Sequence, residues 1–129
     1  MRFYLIDKVL EQDEQRIVAI KNVTAGEEYL KDHFPDFPVL PGVMMLETLV
    51  QAARTLIRQV DGPPRSGPLV VREVRNLRYA AMVRPGQTLQ VEVLLRKRDD
   101  DGLDFQGTGT VDGQVAVQGR FRLAPARRD

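Results

Sequence analysis

The chain has 129 residues, a length that predicts a single domain spanning residues 1–129. With 43% hydrophobic and 29% charged residues, the composition excludes a disordered chain and predicts one core beneath a charged surface. A formal net charge of +1 argues against nucleic-acid binding, which usually shows as a large basic surplus.

Cysteine is absent from the chain, which excludes a disulfide framework, a thiolate metal site and a cysteine nucleophile. This suits a reducing cytoplasm, where we expect the protein to act. Charged residues interrupt the first apolar stretch too early for a signal peptide. The longest apolar run, 39–50, contains Glu47 and is too short to span a bilayer, so we expect no membrane association.

The first part of the chain predicts a β-hairpin followed by a shaped loop. Residues 3–10 and 16–23 are rich in β-branched, aromatic and other apolar residues, and they flank a polar turn at 11–15. Three prolines exclude a regular helix or a central strand within the stretch 24–42.

One long helix is predicted at 43–60, where both Gly and Pro are absent. Its first half is apolar nearly all round, a pattern typical of a buried helix. The sequence DGPP that follows is a clear stop, so residues 61–68 are predicted to form a connector.

The remainder of the chain predicts four strands separated by turns. Asp112-Gly113 is a strong hairpin signal, and Gly107 and Gly109 indicate a bend or bulge within their strand. The predicted strands are 69–83, 89–98, 103–111 and 114–124.

The predicted order of elements is therefore β-β-loop-helix-β-β-β-β. A single antiparallel sheet can bury such a helix on all sides only by curling around it. The sequence thus predicts an α+β fold of hot-dog architecture, in which a curved antiparallel sheet wraps around one long central helix.

Two side chains stand out as candidates for proton transfer. His33 is the only histidine and lies in the proline-rich loop. Its imidazole suits proton transfer near neutral pH, and a histidine that merely packs within the loop is the alternative. Glu47 lies among apolar residues, where a carboxylate is costly unless it is paired or functional. A structural glutamate satisfied by Gln51 or Arg54 is the alternative there.

Two further residues complete the candidate site. Gln51 follows Glu47 by four residues, so both lie on one helix face. Gly42 precedes the predicted helix, and the N–H groups at a helix start bind an oxygen that becomes negative. A plain helix-entry turn is the alternative reading of Gly42.

This segment resembles the active site of the FabZ-type 3-hydroxyacyl-acyl-carrier-protein dehydratases. The residues HFPDFPVLPGV at 33–43, followed by Glu47 and Gln51, are similar to the family pattern HFPGxPVxPGVLxxEAxAQ. Asp36 replaces the glycine of that pattern. The resemblance extends to FYLIDKVLE at 3–11, RIVAIKNVT at 16–24, LRYAAMVRPGQTLQVEV at 77–93 and VDGQVAV at 111–117.

The third of these stretches resembles the family's KFRxPVxPGDxLxLEV, with two departures. Arg78-Tyr79-Ala80 stands in place of Lys-Phe-Arg, so one positive charge is lost, and Met82 replaces a proline. We expect these changes to affect carrier docking and chain-length preference more than the chemistry.

The resemblance implies the hot-dog fold and the dehydration of a 3-hydroxyacyl thioester to a trans-2-enoyl thioester in fatty acid or related lipid biosynthesis. It implies His33 as the base, Glu47 as the acid or the holder of the departing water, and the Gly42 N–H as the donor to the thioester carbonyl. Gln51 would orient Glu47. No metal or other cofactor is implied.

The resemblance also implies partners. The substrate would be carried on acyl carrier protein, and each site would lie at the interface of a homodimer, alone or within a trimer of dimers. Carrier proteins are acidic, and the second half of this chain holds the basic surplus. Arg72, Arg75, Arg78 and Arg84 are candidate docking residues. Of these, Arg72, Arg78 and Arg84 share strand parity if no bulge intervenes.

Two other functions remain open. A hot-dog acyl thioesterase would use Glu47 to activate water. A non-catalytic acyl-binding partner subunit would bind the thioester without turnover, although it has no evident need for either His33 or Glu47.

Overall fold

The computed structural model of the protein describes residues 5–24, 40–62 and 68–126. Its elements in chain order are β1 (Lys8–Gln12), β2 (Arg16–Asn22), α1 (Gly42–Asp61), β3 (Leu69–Tyr79), β4 (Thr88–Arg98), β5 (Leu103–Val111) and β6 (Gln114–Pro125). The six strands form one antiparallel sheet in the order β1-β2-β4-β5-β6-β3, so β1 and β3 are its edges. The predicted order of elements is confirmed, while most of the predicted loop at 24–42 lies outside the described residues.

The first hairpin is present, but its first strand differs from the prediction. β1 continues to Gln12, because an edge strand that is exposed along its length accommodates polar residues. Asp13 then closes a shorter turn by accepting the N–H of Gln15 at 2.8 Å. Leu5, predicted within the strand, precedes it and is buried, and its N–H is donated to the side chain of Gln51.

The predicted long, bent strand is present as β3, which pairs with β6 and with no other described strand. Its register shifts twice, between Val71 and Glu73 and between Arg75 and Arg78. At the second shift Asn76 has a φ of 54°, in the left-handed region that Asn tolerates better than most residues. These irregularities are β-bulges, and bulges on an edge strand bend it and turn its side chains.

β3 ends at Tyr79, four residues before the predicted end at 83. Beyond Tyr79 the chain leaves the sheet, and the carbonyl of Val83 accepts the N–H of Leu40 at 2.7 Å. This bond ties the end of β3 to the residues just before α1. The start of the helix is therefore held next to Tyr79.

The inner face of the sheet is apolar at alternate positions along β4 and β5. Gly107 and Gly109 lie on this face, where neighbouring side chains leave little room for a Cβ. A Cβ on Gly107 would lie 3.1 Å from Leu49 of α1, and one on Gly109 would lie 2.8 Å from Val117. The register of β5 against β6 also shifts between Gly109 and Thr110, which confirms the predicted irregularity.

One side of α1 packs on this face and forms the core with it. The buried residues of α1 are Met45, Thr48, Leu49, Val50, Ala52, Ala53, Leu56 and Ile57. The prediction that the first half of the helix is buried all round is wrong for the single chain. Val43 is 64% exposed and Met44 and Leu46 are half-buried, because the sheet of one chain covers only one side of the helix.

The part of the chain that the structure describes contains no helix that is both long and apolar enough to cross a membrane.

Candidate active site

Three of the four predicted site residues lie on α1, and the fourth lies outside the described residues. Gly42 is the first residue of the helix, and Glu47 and Gln51 follow on its first turns. His33 belongs to the undescribed stretch before the helix, so its role remains a prediction.

Gly42 lies at the start of α1, where the N-cap residue Pro41 provides no side-chain hydrogen bond. Pro41 precedes the helix with a φ of −59°, and its carbonyl accepts the N–H groups of Met44 at 2.9 Å and Met45 at 3.2 Å. The first turn contains no acidic residue to offset the positive end of the helix dipole. This end of α1 therefore suits an oxygen that acquires negative charge.

Tyr79 lies directly against Gly42, a contact that sequence reasoning missed. The ring atoms Cζ, Cε1 and Cε2 lie 2.9, 3.1 and 3.2 Å from the position that a Cβ on Gly42 would occupy. These are the atoms at the hydroxyl end of the ring, so the phenol borders the first turn of the helix. Burial raises the pKa of the Tyr79 phenol, which keeps it protonated at neutral pH.

The apolar residues around Glu47 in the sequence predicted a buried side chain. In the structure 40% of that side chain is exposed. Its Oε2 atom accepts two hydrogen bonds, from Nε2 of Gln51 at 3.3 Å and from Nη1 of Arg54 at 3.4 Å. No residue in the described ranges bonds to its Oε1 atom. The described residues thus hold the carboxylate through one oxygen, Oε2.

Gln51 connects Glu47 to the N-terminal segment. Its Oε1 atom accepts the N–H of Leu5 at 2.8 Å, which leaves its amide N–H₂ directed at Glu47. The contact between Glu47 and Gln51 follows from their four-residue spacing, as predicted. The contact with Leu5 spans 46 residues, and no local pattern in the sequence signals it.

A second feature is a basic cleft of about 160 Å³ lined by residues of β3, β4, β5 and β6. Its charged lining residues are Glu73, Arg75, Arg96, Lys97, Asp104, Arg120 and Arg122. Arg75 pairs with Glu73 at 2.7 Å, and Arg122 pairs with Asp104 at 2.9 Å. The other three cations make no ion pair within the described ranges, so the cleft carries a positive surplus.

The arginines predicted for docking do not share one face of a regular strand. A register shift between Arg75 and Arg78 places them opposite Arg120 and Gln118, so these two arginines lie on one face, which the alternation of a regular strand does not predict. Arg84 lies beyond the end of β3, and Arg72 bonds the carbonyl of Pro125 at 3.1 Å. Sequence parity fails here because each bulge reverses the faces of the residues that follow it.

Solved structures share this architecture. The chain superimposes on the dehydratase heterocomplex ApeI:P from Xenorhabdus doucetiae with a TM-score of 0.76 and 20% identity, covering 97% of this chain and 84% of that one. Thioesterase superfamily member 2 from Mus musculus gives a TM-score of 0.70 at 11% identity, covering 92% of this chain and 81% of that one. At these identities the likeness shows the fold alone, and it confirms the α+β hot-dog architecture.

Proteins of similar sequence identify the family more specifically than the solved structures do. A 3-hydroxyacyl-acyl-carrier-protein dehydratase FabZ from Solibacter usitatus is 42% identical over 117 residues, which cover 90% of this chain and 72% of the relative. The family model of the FabA-like domain matches residues 1–120, a range that includes the segment 33–51. This chain therefore belongs to the FabA-like family, as a relative of the FabZ-type 3-hydroxyacyl-acyl-carrier-protein dehydratases.

Proposed function

We propose that this protein dehydrates 3-hydroxyacyl thioesters carried on acyl carrier protein to trans-2-enoyl thioesters, in fatty acid or related lipid biosynthesis. The observation that carries the proposal is the active-site segment at 33–51 within a chain that is 42% identical to a FabZ dehydratase. Gly42, Glu47 and Gln51 along one helix would supply the carbonyl donor, the group at C3 and its orienting residue, and His33 would supply the base.

Dehydration requires a base at C2, a group that takes the departing oxygen at C3 and a donor at the thioester carbonyl. Removal of the C2 proton places negative charge on the carbonyl oxygen. The C3–O bond then breaks, its electrons leave with the hydroxyl group, and the proton that the base took from C2 is returned to this oxygen to give water. The products are the enoyl thioester and water.

We assign His33 as the base and Glu47 as the residue that binds the C3 hydroxyl group. The N–H of Gly42 would bind the thioester oxygen at the positive end of α1, where no acidic residue competes in the first turn. Gln51 holds Glu47 through Oε2, which supports its assignment as the orienting residue. None of these steps uses a metal or a redox cofactor.

We further propose a homodimer that forms through the free edge of β3, alone or within a trimer of dimers. β3 has an unpaired edge and exposes Val71, Val74 and Tyr79, 37%, 37% and 47% accessible respectively. An exposed apolar edge strand is a template for pairing with a second chain. A partner there would also lie near the exposed first turn of α1, so it could complete the site.

The basic cleft supports acyl carrier protein as the partner that delivers the substrate. Arg75 lies directly opposite Arg120 in the β3–β6 register, and like charges in that position oppose pairing. An acidic partner would offset this repulsion. We therefore move the proposed docking surface from the arginines along β3 to the cleft formed by Arg75, Arg96, Lys97 and Arg120.

One assay tests the function against its two alternatives. The purified protein is given 3-hydroxyacyl thioesters of increasing chain length on acyl carrier protein and on coenzyme A. Absorbance of the enoyl thioester, without release of free thiol, supports the dehydratase. Release of thiol without enoyl product would indicate the thioesterase, and binding without either product would indicate the non-catalytic subunit.

We propose the cytoplasm as the location of the protein, since a chain without cysteine suits a reducing compartment.

A further inference from the structure

Arg54 connects the Glu47 carboxylate to the sheet. It lies two helical turns after Glu47 and places Nη1 at 3.4 Å from its Oε2 atom. Its Nε–H is donated to the carbonyl of Leu69, the first residue of β3, at 3.0 Å. One guanidinium group therefore bridges the proposed catalytic carboxylate and the backbone of the following element.

The bond to Leu69 distinguishes Arg54 from an ordinary surface ion pair. The Arg54 and Glu47 side chains are 39% and 40% exposed, and pairs of that kind usually contribute little because both side chains remain mobile. Here the guanidinium group that contacts the Glu47 carboxylate is also held by the backbone carbonyl of Leu69. A fixed donor restricts the carboxylate more than a mobile donor does.

The two donors converge on the same oxygen of Glu47. Gln51 and Arg54 both bond to Oε2, at 3.3 and 3.4 Å, and both bonds are long for hydrogen bonds. Neither donor alone would hold the carboxylate firmly. Together they fix its rotation and leave Oε1 as the oxygen that no described residue engages.

We propose that Arg54 is a positioning residue for the dehydration, which holds Oε2 of Glu47 so that Oε1 accepts the hydrogen bond of the C3 hydroxyl group. The proposal rests on the proposed function, in which Glu47 binds that hydroxyl group. The matching family pattern ends at Gln51, so the resemblance assigns no role to Arg54. A misplaced reacting group costs rate rather than affinity, and Arg54 therefore acts on kcat.

The first test compares Arg54→Met with Arg58→Met on one 3-hydroxyacyl thioester. Arg58 is exposed and lies one turn further along α1, which makes its replacement a matched control. We expect Arg54→Met to lower kcat by about tenfold with KM changed less than about twofold, because positioning affects the transition state. Arg58→Met should match the wild type, and Arg54→Lys should recover part of the lost kcat. Wild-type kcat for Arg54→Met would overturn the proposal.

The second test separates positioning from a general structural role. Arg54→Met is introduced into Glu47→Ala, where no carboxylate remains to be held. We expect the double variant to turn over at the rate of Glu47→Ala alone, since residues that act through one another are not additive. An equal loss of kcat in both backgrounds would show that Arg54 serves the fold and would overturn the proposal. Absent turnover by the wild type would instead refute the proposed function, so the two failures are distinguishable.

Discussion

The phenol ring of Tyr79, the last residue of β3, lies against Gly42, the first residue of α1, with Cζ 2.9 Å from the position of a Cβ on that glycine. Real Cβ atoms essentially never approach another atom this closely. A side chain at position 42 therefore requires the Tyr79 ring to shift. This contact explains why the proposed carbonyl donor is a glycine, in addition to the access that glycine gives to a ligand.

Replacing Gly42 with Ala should destabilise the protein and lower its turnover. Overpacking of a core costs about 1–3 kcal/mol, and the cost here should lie at the low end, about 1 kcal/mol, because the half-exposed Tyr79 ring can move. Urea unfolding and dehydration rates measure the two effects. In a Tyr79→Ala background the same replacement should cost much less stability. An equal cost in both backgrounds would show that the ring is not the cause.

The proposed catalytic pair makes a prediction about turnover. His33→Ala and Glu47→Gln should each reduce kcat by at least about a hundredfold, the scale of general acid–base groups, with smaller effects on the binding of substrate analogues. Glu47→Gln keeps the shape of the side chain and removes only its carboxylate. Val60→Ala, an exposed position at the far end of α1, is the control and should retain full activity. Near-normal activity of either site variant would contradict the assignment.

The two edges of the sheet offer a matched test of the proposed dimer. Val74 on β3 and Val9 on β1 are both 37% exposed. A lysine on a pairing edge blocks association, so Val74→Lys should convert the dimer to a monomer and abolish most activity. Val9→Lys should leave the molar mass unchanged. Sedimentation velocity measures the mass, and a wild type that is active as a strict monomer would refute the dimer.

A complementation experiment tests whether two chains share one site. His33→Ala and Glu47→Ala proteins are unfolded together and refolded, which produces mixed dimers. If each site takes its histidine from one chain and its acid from the other, each mixed dimer contains one intact site. We expect activity to reappear in the mixture and to remain absent when each variant is refolded alone.

The basic cleft predicts a salt-dependent reaction with the carrier-bound substrate. Exposed charges are screened over about 10 Å at 0.1 M ionic strength, so kcat/KM should fall as salt rises, through the association rate. Arg96→Glu and Arg120→Glu should lower it further, whereas Arg58→Glu, away from the cleft, should not. A pantetheine thioester lacks the carrier's charges and should respond to neither change. If both substrates respond alike, the cleft does not bind the carrier.

Acid pH should remove a defined contribution to stability at Asp99. Hydrogen bonds from Arg122 at 2.6 Å and from the N–H groups of Asp101 and Gly102 hold the pKa of Asp99 at about 2, below its usual value of 3.8. Because the folded-state pKa is the lower one, this stabilisation is complete above the usual value and is lost as pH falls towards 2.

The variant Asp99→Asn tests this contribution. It should be less stable than the wild type at neutral pH, and the difference in free energy of unfolding should shrink as pH falls from about 4 to about 2. Denaturant unfolding at a series of pH values measures the difference. A difference that stays constant over this range would contradict the stated role of Asp99.

Local rules in the sequence determined the elements and part of the site. The helix was predicted within one residue at each end, because Pro41 and Gly62-Pro63 act on the backbone of their immediate neighbours. Asp112 and Gly113 adopt φ values of 50° and 80°, as a two-residue hairpin turn requires. The four-residue spacing of Glu47 and Gln51 likewise fixed their contact through helical geometry alone.

Only the tertiary structure decided the contacts between residues that are distant in sequence. Leu5 bonds to Gln51, Tyr79 packs on Gly42, and Arg54 is anchored by Leu69. No periodic pattern encodes these contacts, because each depends on how the helix lies on the sheet. The bulges of β3 are also unmarked in the sequence, and they place Arg75 and Arg78 on one face against the alternation of a regular strand. The exposure of Glu47 was decided in the same way, since a single sheet covers only one side of the helix that carries it.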